Sequence, residues 1–143
     1  VITGGVGITV AHELGHKKSK LEQFYSQVLL MTVCYMHFFI EHNRGHHVQV
    51  ATEADPATAR KGESFYRFWV RSVFEGYRHA WHLEQQSLER KGHGLFHWRN
   101  HMIWFSVLPL ACCVLLVVLF APTKTAALSV IVFFFAQSIV AFT

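Results

Sequence analysis

The distribution of apolar and polar positions divides the chain into distinct stretches. Residues 102–123 and 125–143 carry no charged side chain, and each approaches the roughly 20 residues that a helix needs to cross a bilayer core. Only Ala-Pro-Thr-Lys-Thr (121–125) joins them, which predicts an antiparallel pair of membrane spans. Pro109 is tolerated inside the first, because neighbouring groups in a membrane bundle re-satisfy the backbone. The opening stretch, 1–11, reads as the last turns of another span, with glycines that permit close helix contact in lipid. A phosphate-binding loop needs fuller glycine spacing and a Lys-Ser/Thr ending, neither of which occurs there. Over 63–91 the period changes. Phe65, Trp69, Val73, Tyr77 and Trp81 recur every fourth residue while Arg67, Arg71, Glu75 and Arg78 take other faces, predicting an amphipathic helix at the membrane interface. The uncharged run 24–40 is long enough to span but contains Ser26, Gln27, Thr32 and His37.

Composition narrows the class. The chain is 52% hydrophobic and 15% charged with 13 Phe, whereas ordinary soluble domains carry about a quarter charged residues. Disorder is excluded, because this apolar content will be buried in protein or lipid. The three cysteines, Cys34, Cys112 and Cys113, lie in apolar runs without disulfide or metal-ligand spacing. No secretory leader pattern opens the chain, which starts and stops inside apolar runs and reads as an internal piece of a longer polypeptide.

Charge supplies a topology. Twelve of the 13 Lys and Arg fall between Lys17 and Arg99, and Lys124 alone marks the hairpin tip. The positive-inside bias then places 12–101 on the cytoplasmic side. The net charge of +4 comes from basic residues mixed with nine acidic ones, without a finger or RNP-like pattern, so nucleic acid is not an expected partner.

Eleven histidines dominate the chemistry. His12-Glu13-Leu14-Gly15-His16 places two imidazoles four apart, on one helical face, where both reach one ion. Taken alone it is an HExxH string with Glu13 as the general base of a zinc protease. The run from Glu41 to His47 repeats the spacing with His42 and His46 and adds His47 about 100° further round. Five imidazoles exceed the three protein ligands of a usual catalytic zinc site. Nitrogen-rich ligation suits iron, with zinc and copper open by ligand type. Asp55, Glu13 and Glu41 are candidates to orient an imidazole from behind, each with a helix cap or solvated charge as the alternative.

The runs His-Glu-Leu-Gly-His-Lys-Lys (12–18), Phe-Phe-Ile-Glu-His-Asn-Arg-Gly-His-His (38–47) and Val-Ala-Thr-Glu-Ala-Asp-Pro-Ala-Thr-Ala-Arg (50–60), followed by Gly62-Glu63-Ser64, resemble the membrane alkane 1-monooxygenase family. The resemblance implies an all-α integral membrane bundle, related in architecture to membrane fatty acid desaturases, with a cytoplasmic histidine-box di-iron site in a bacterial inner membrane. It implies two non-haem iron ions, O₂ as co-substrate, and hydroxylation of the terminal carbon of alkanes with electrons from rubredoxin, itself served by a reductase and NADH. His12 and His16 match the first box and His42, His46 and His47 the second; no catalytic residue beyond the metal centre is implied. Later boxes of the family would lie past Thr143, so this stretch alone is expected to bind iron poorly and to be inactive. A xylene monooxygenase-like enzyme acting on aromatic methyl groups is the nearest alternative. A desaturase box typically reads HxxHH where this chain reads HxxxHH.

Four further expectations follow. His16 and His42 can serve one centre only if 24–40 does not cross the membrane as a straight helix, so this segment is expected to be bent or re-entrant and buried against the bundle. His93, His97, His101, His79 and His82 are expected to be solvated or headgroup-facing, and His37 to be a core histidine. Val1, Gly5 and Ile8 fall along one stripe with His12, and the small residues there either pack against a neighbouring helix or leave room for an alkyl chain. A metal carrier is disfavoured, because ion paths need ionisable groups inside the spans and 102–143 holds only Lys124.

Overall fold

The structure is a computed structural model describing residues 2–120 and 123–142, with side chains described for 4–120, 123–137 and 139. Every regular element among the described residues is helical. They form two compact units, one of Val1–Met36 with Phe105–Thr143 and one of His37–Trp104.

In the first unit, α1 (Ile2–Gly15) packs against α2 (Lys20–Thr32) and against α7 (Lys124–Phe142). Gly4, Ala11 and Gly15 form the buried stripe of α1, where small residues let a partner backbone approach. Ser26 of α2 uses this proximity, its hydroxyl donating to the Ala11 carbonyl at 2.6 Å. The Gly4 N–H, among the first-turn donors a helix cannot satisfy internally, donates to Gln137 Oε1 of α7 at 3.1 Å.

α2 ends by a left-handed residue. Cys34 has φ +54°, the Tyr35 N–H donates to Leu30 O and the Cys34 N–H to Met31 O, which are the two bonds of a Schellman closure. No continuous helix therefore runs from Lys17 to Glu41. The expectation that 24–40 is buried fails along one face, where Phe24, Tyr25 and Val28, with Leu21 before them, are exposed.

The second unit begins with a helical stretch in three parts, α3 (Phe38–Ile40), a π-helical turn (Glu41–His46) and α4 (His47–Gln49). α5 (Phe65–Glu89) lies against α3 and the π-turn. Ser64 caps α5 by accepting from the Arg67 N–H, and Gly92 at φ +73° closes its far end. The inward stripe of α5 is Ser72, Gly76, Ala80, Glu84 and Leu88, adjacent to the aromatic stripe expected from the sequence. Small residues win that face because the π-turn comes close, with the Glu41 side chain resting over Gly76.

α6 (His101–Phe120) starts in this unit. Asn100 caps it, its Oδ1 accepting from the Met102 N–H at 2.9 Å. Its 20 residues are long and apolar enough to cross a membrane, and Leu110, Val114, Val118 and Phe120 are exposed along it, as a lipid-facing surface would be. The second expected span corresponds to α7, whose described apolar part is the shorter stretch Lys124–Gln137. Residues 121–122 of the expected turn lie outside the described residues.

Candidate metal centre

In the first unit, α1 carries His12 and His16 one turn apart. Their Nε2 atoms lie 3.1 Å from each other, with the rings edge to face at 83°. Two nitrogens each about 2.1 Å from one ion, at angles between a right angle and the tetrahedral value, are separated by about 3.0 to 3.4 Å. The first box therefore has the spacing of adjacent metal ligands. Glu13 reaches His12 from behind, its Oε1 3.2 Å from Nδ1, and is 66% exposed. That position fixes a tautomer; it does not put a carboxylate beside the facing nitrogens, where a zinc protease needs its base.

The second unit arranges the other three differently from the expected helix. His42 and His46, four apart, would pair on an α-helix, but the backbone here is π-helical, which brings residues five apart into line. His42 Nε2 accordingly faces His47 Nε2 at 3.1 Å, the same spacing as in the first box. His46 stacks beside His42 with ring centroids 5.3 Å apart and turns its Nδ1 to Asp55 Oδ2 at 2.9 Å, so that Nε2 is the nitrogen it could offer a metal. His12 and His16 in one unit and His42 and His47 in the other each present ring nitrogens suited to a metal ion.

Asp55 is 1% exposed. Burial pushes its carboxyl up, but the Thr58 hydroxyl, the Ala57 N–H and His46 together hold it below the usual carboxylate range. A buried ionised carboxylate on Nδ1 is the usual arrangement for orienting a metal-binding imidazole. The loop that carries it is tied to α5 by Arg71, which donates to the carbonyls of Pro56 and Thr58 and, bidentately, to Glu63 at 2.7 Å. Hydrogen bonds from Arg71 and the Arg60 N–H hold Glu63 down to about 2.

Glu41 does not touch a box histidine in this way. It is 5% exposed and its Oε1 faces Nδ1 of His79 at 3.5 Å. Burial raises the Glu41 carboxyl, with His79 opposing. His79 is thus not the solvated residue expected; its side chain is 16% exposed against the π-turn, whereas His82 is exposed and bonded to Gln86. Glu84 went unnoticed in the sequence. Its carboxylate accepts from Arg44, inside the second box, at 2.7 Å and from the His101 N–H at the start of α6. One signal was available, a lone acid on the small-residue stripe of α5.

Among the other histidines, His93 and His97 stack face to face at 4.1 Å and 9°, so their in-plane lone pairs do not converge on one ion, and Arg99 approaches His93 at 3.5 Å. His37 packs edge-on against Tyr77. Val1 lies outside the described residues. Gly5 opens on empty space, with nothing within 4 Å of where a Cβ would stand, and Ile8 beyond it is half-buried.

An all-helical chain with two histidine boxes of metal-ligand spacing, and a helix long and apolar enough to cross a membrane, defines a histidine-box class. The fatty acid desaturase family model matches residues 1–143, and the chain belongs to that family. It is 41% identical over 121 residues, 85% of the chain, to an alkane 1-monooxygenase of Pseudomonas putida. It is 47% identical over 113 residues, 79% of the chain, to alkane 1-monooxygenase 1 of Pseudomonas aeruginosa. A more distant relative, 27% identical over 110 residues and 77% of the chain, is the xylene/toluene monooxygenase hydroxylase component of Pseudomonas putida. The chain spans about 30% of the length of each.

Proposed function

We propose that the protein is a non-haem di-iron monooxygenase that hydroxylates the terminal carbon of alkanes. His12, His16, His42, His46 and His47 supply iron ligands, and remaining ligands come from elsewhere in the full-length protein. The observation that carries this reading is the repeated 3.1 Å spacing of paired Nε2 atoms in the two boxes, in a chain 40–47% identical to several alkane 1-monooxygenases.

A terminal C–H bond offers side chains neither an acidic proton nor a polar handle, so the bound iron would supply the O₂ chemistry. The chain's own residues do the rest. Glu13 and Asp55 hold Nδ1 of His12 and His46, fixing which nitrogen of each faces the metal. The Arg71 ties keep the Asp55 loop closed, and the space beside Gly5 and Ile8 admits an alkyl chain. Lys17, Lys18, Lys20, Arg44, Arg60 and Lys61 on the cytoplasmic side attract an acidic electron donor, rubredoxin, by long-range steering. The boxes face the cytoplasmic side of the bacterial inner membrane, the side on which Lys and Arg are retained.

The direct test supplies the full-length protein with rubredoxin, its reductase, NADH, O₂ and octane. Expected is 1-octanol, with iron required and activity lost in His47→Ala. The distant similarity to a xylene/toluene monooxygenase component favours a second reading, oxidation of aromatic methyl groups. Turnover of xylene without turnover of octane would replace the first reading by the second.

A further inference from the structure

The π-helical form of the second box needs a cause, since an α-helix is intrinsically favoured and π-turns appear mostly as single insertions at functional sites. Nothing in Glu41-His42-Asn43-Arg44-Gly45-His46 dictates it. What stands against the turn is α5. His79 reaches from α5 into the space above Gly45, so close that a Cβ at Gly45 would lie 2.8 Å from its Cε1, 2.9 Å from its Nδ1 and 3.0 Å from Glu41 Oε1. Real Cβ atoms essentially never come that close, so the ring occupies a slot that exists only because residue 45 is glycine. Glu41, the first residue of the turn, is buried beneath the same ring and rests over Gly76 on the inward stripe of α5. The two ends of the turn are therefore held by one side chain. The ring faces the Glu41 carboxylate and covers Gly45.

We infer that His79 is a positioning residue, a wedge seated on Gly45 and Glu41 that keeps the second box in its π-helical register, so that His42 and His47 rather than His42 and His46 present facing nitrogens. This deepens the metal-centre reading and rests on it. In this inference His79, with its Nδ1 turned to Glu41, acts through the turn and is assigned no ligand role. The account separates contact from charge. Filling the slot at Gly45 displaces the ring; removing the ring frees the slot; a side chain at 79 that reaches Glu41 with an N–H restores the grip.

The experiment uses the full-length protein and ferrous iron, reading iron affinity by competition with a chelator and the iron environment by Mössbauer quadrupole splitting. His79→Ala is expected to weaken iron binding by about tenfold, the lower end for groups that orient ligands from behind, and to change the splitting. Gly45→Ala should do the same. In the His79→Ala background, Gly45→Ala should cost nothing more, because the atoms it collides with are gone, and this non-additivity is the signature of the wedge. His79→Asn should recover most of the affinity and His79→Leu should not, a comparison that stands even if the alanine variant fails to fold. His47→Ala is run beside them. If it loses iron while His79→Ala binds and resonates as the parent does, or if the Gly45→Ala and His79→Ala losses add, the wedge is refuted and the metal centre survives. If His47→Ala keeps its iron, the metal-centre reading itself falls.

Discussion

His42 and His47 face each other with their Nε2 atoms 3.1 Å apart, although they stand five positions apart and the α-helical neighbour of His42 is His46. The π-turn thus divides the second box into two kinds of histidine. His42 and His47 form a pair like that of the first box, whereas His46 is oriented from outside the helix by Asp55 at 2.9 Å. These differences in support lead to different mutational outcomes.

Asp55→Ala leaves Nδ1 of His46 without its carboxylate and is expected to lower iron affinity by about 10- to 100-fold. Asp55→Asn keeps an acceptor oxygen at the same place and should fall between this and the parent. Iron titration of the purified full-length protein checks both, and equal affinity in all three proteins would show that His46 needs no external orientation.

Arg71 and Glu63 give a pH dependence with a definite sign. Glu63 is held down to about 2 from an ordinary 4.5, so its contribution to stability is present above pH 4.5 and lost as the pH falls toward 2. Glu63→Gln should therefore lower Tm at pH 7 relative to the parent, and the difference should shrink steadily between pH 4.5 and 2. A difference that is constant across that range would show that the carboxylate charge is not involved.

The bend after α2 can be tested through Cys34. A non-glycine residue in the left-handed region costs about 1 to 2 kcal/mol, and Cys34 sits there at φ +54°. Cys34→Gly should stabilise the protein by about 1 kcal/mol, and Cys34→Val should destabilise it, as read from thermal unfolding in detergent. Loss of stability in the glycine variant would contradict the Schellman closure.

How much of this was legible in the sequence depended on whether the signal was local. The apolar run of α6 and the extent of α5, expected over 63–91 and observed at Phe65–Glu89, are written in residue types that act on their own backbone. The break at Cys34 is not, because the usual glycine is missing and tertiary packing carries the strain. The HxxxHH spacing pointed to His42 and His46 as partners because α-helical geometry was assumed. The π-turn is set by His79, 33 to 38 positions away along the chain, and no local pattern encodes such a contact. Arg71 and Glu84 escaped for a related reason. On an amphipathic helix a charged residue is ordinarily a solvated one, and only the structure shows Glu84 accepting from Arg44 and from the start of α6.

Substrate length gives a prediction at α1. A Cβ at Gly5 would meet no atom within 4 Å, so Gly5→Phe starts from open space and should project into the room assigned to the alkyl chain. It should shorten the longest alkane oxidised and leave short-chain turnover in place, as read from product profiles over a series of chain lengths. An unchanged range would remove Gly5 and Ile8 from the substrate path.

The central claim is that the five box histidines hold iron and the remaining histidine clusters do not. Iron per protein, measured on the full-length protein by elemental analysis for His12→Ala, His16→Ala, His42→Ala, His46→Ala, His47→Ala and His93→Ala, tests it most directly. The account predicts that each of the first five loses iron while His93→Ala retains the parent's content. Iron lost to the same extent in His93→Ala, or retained in the five, would contradict it.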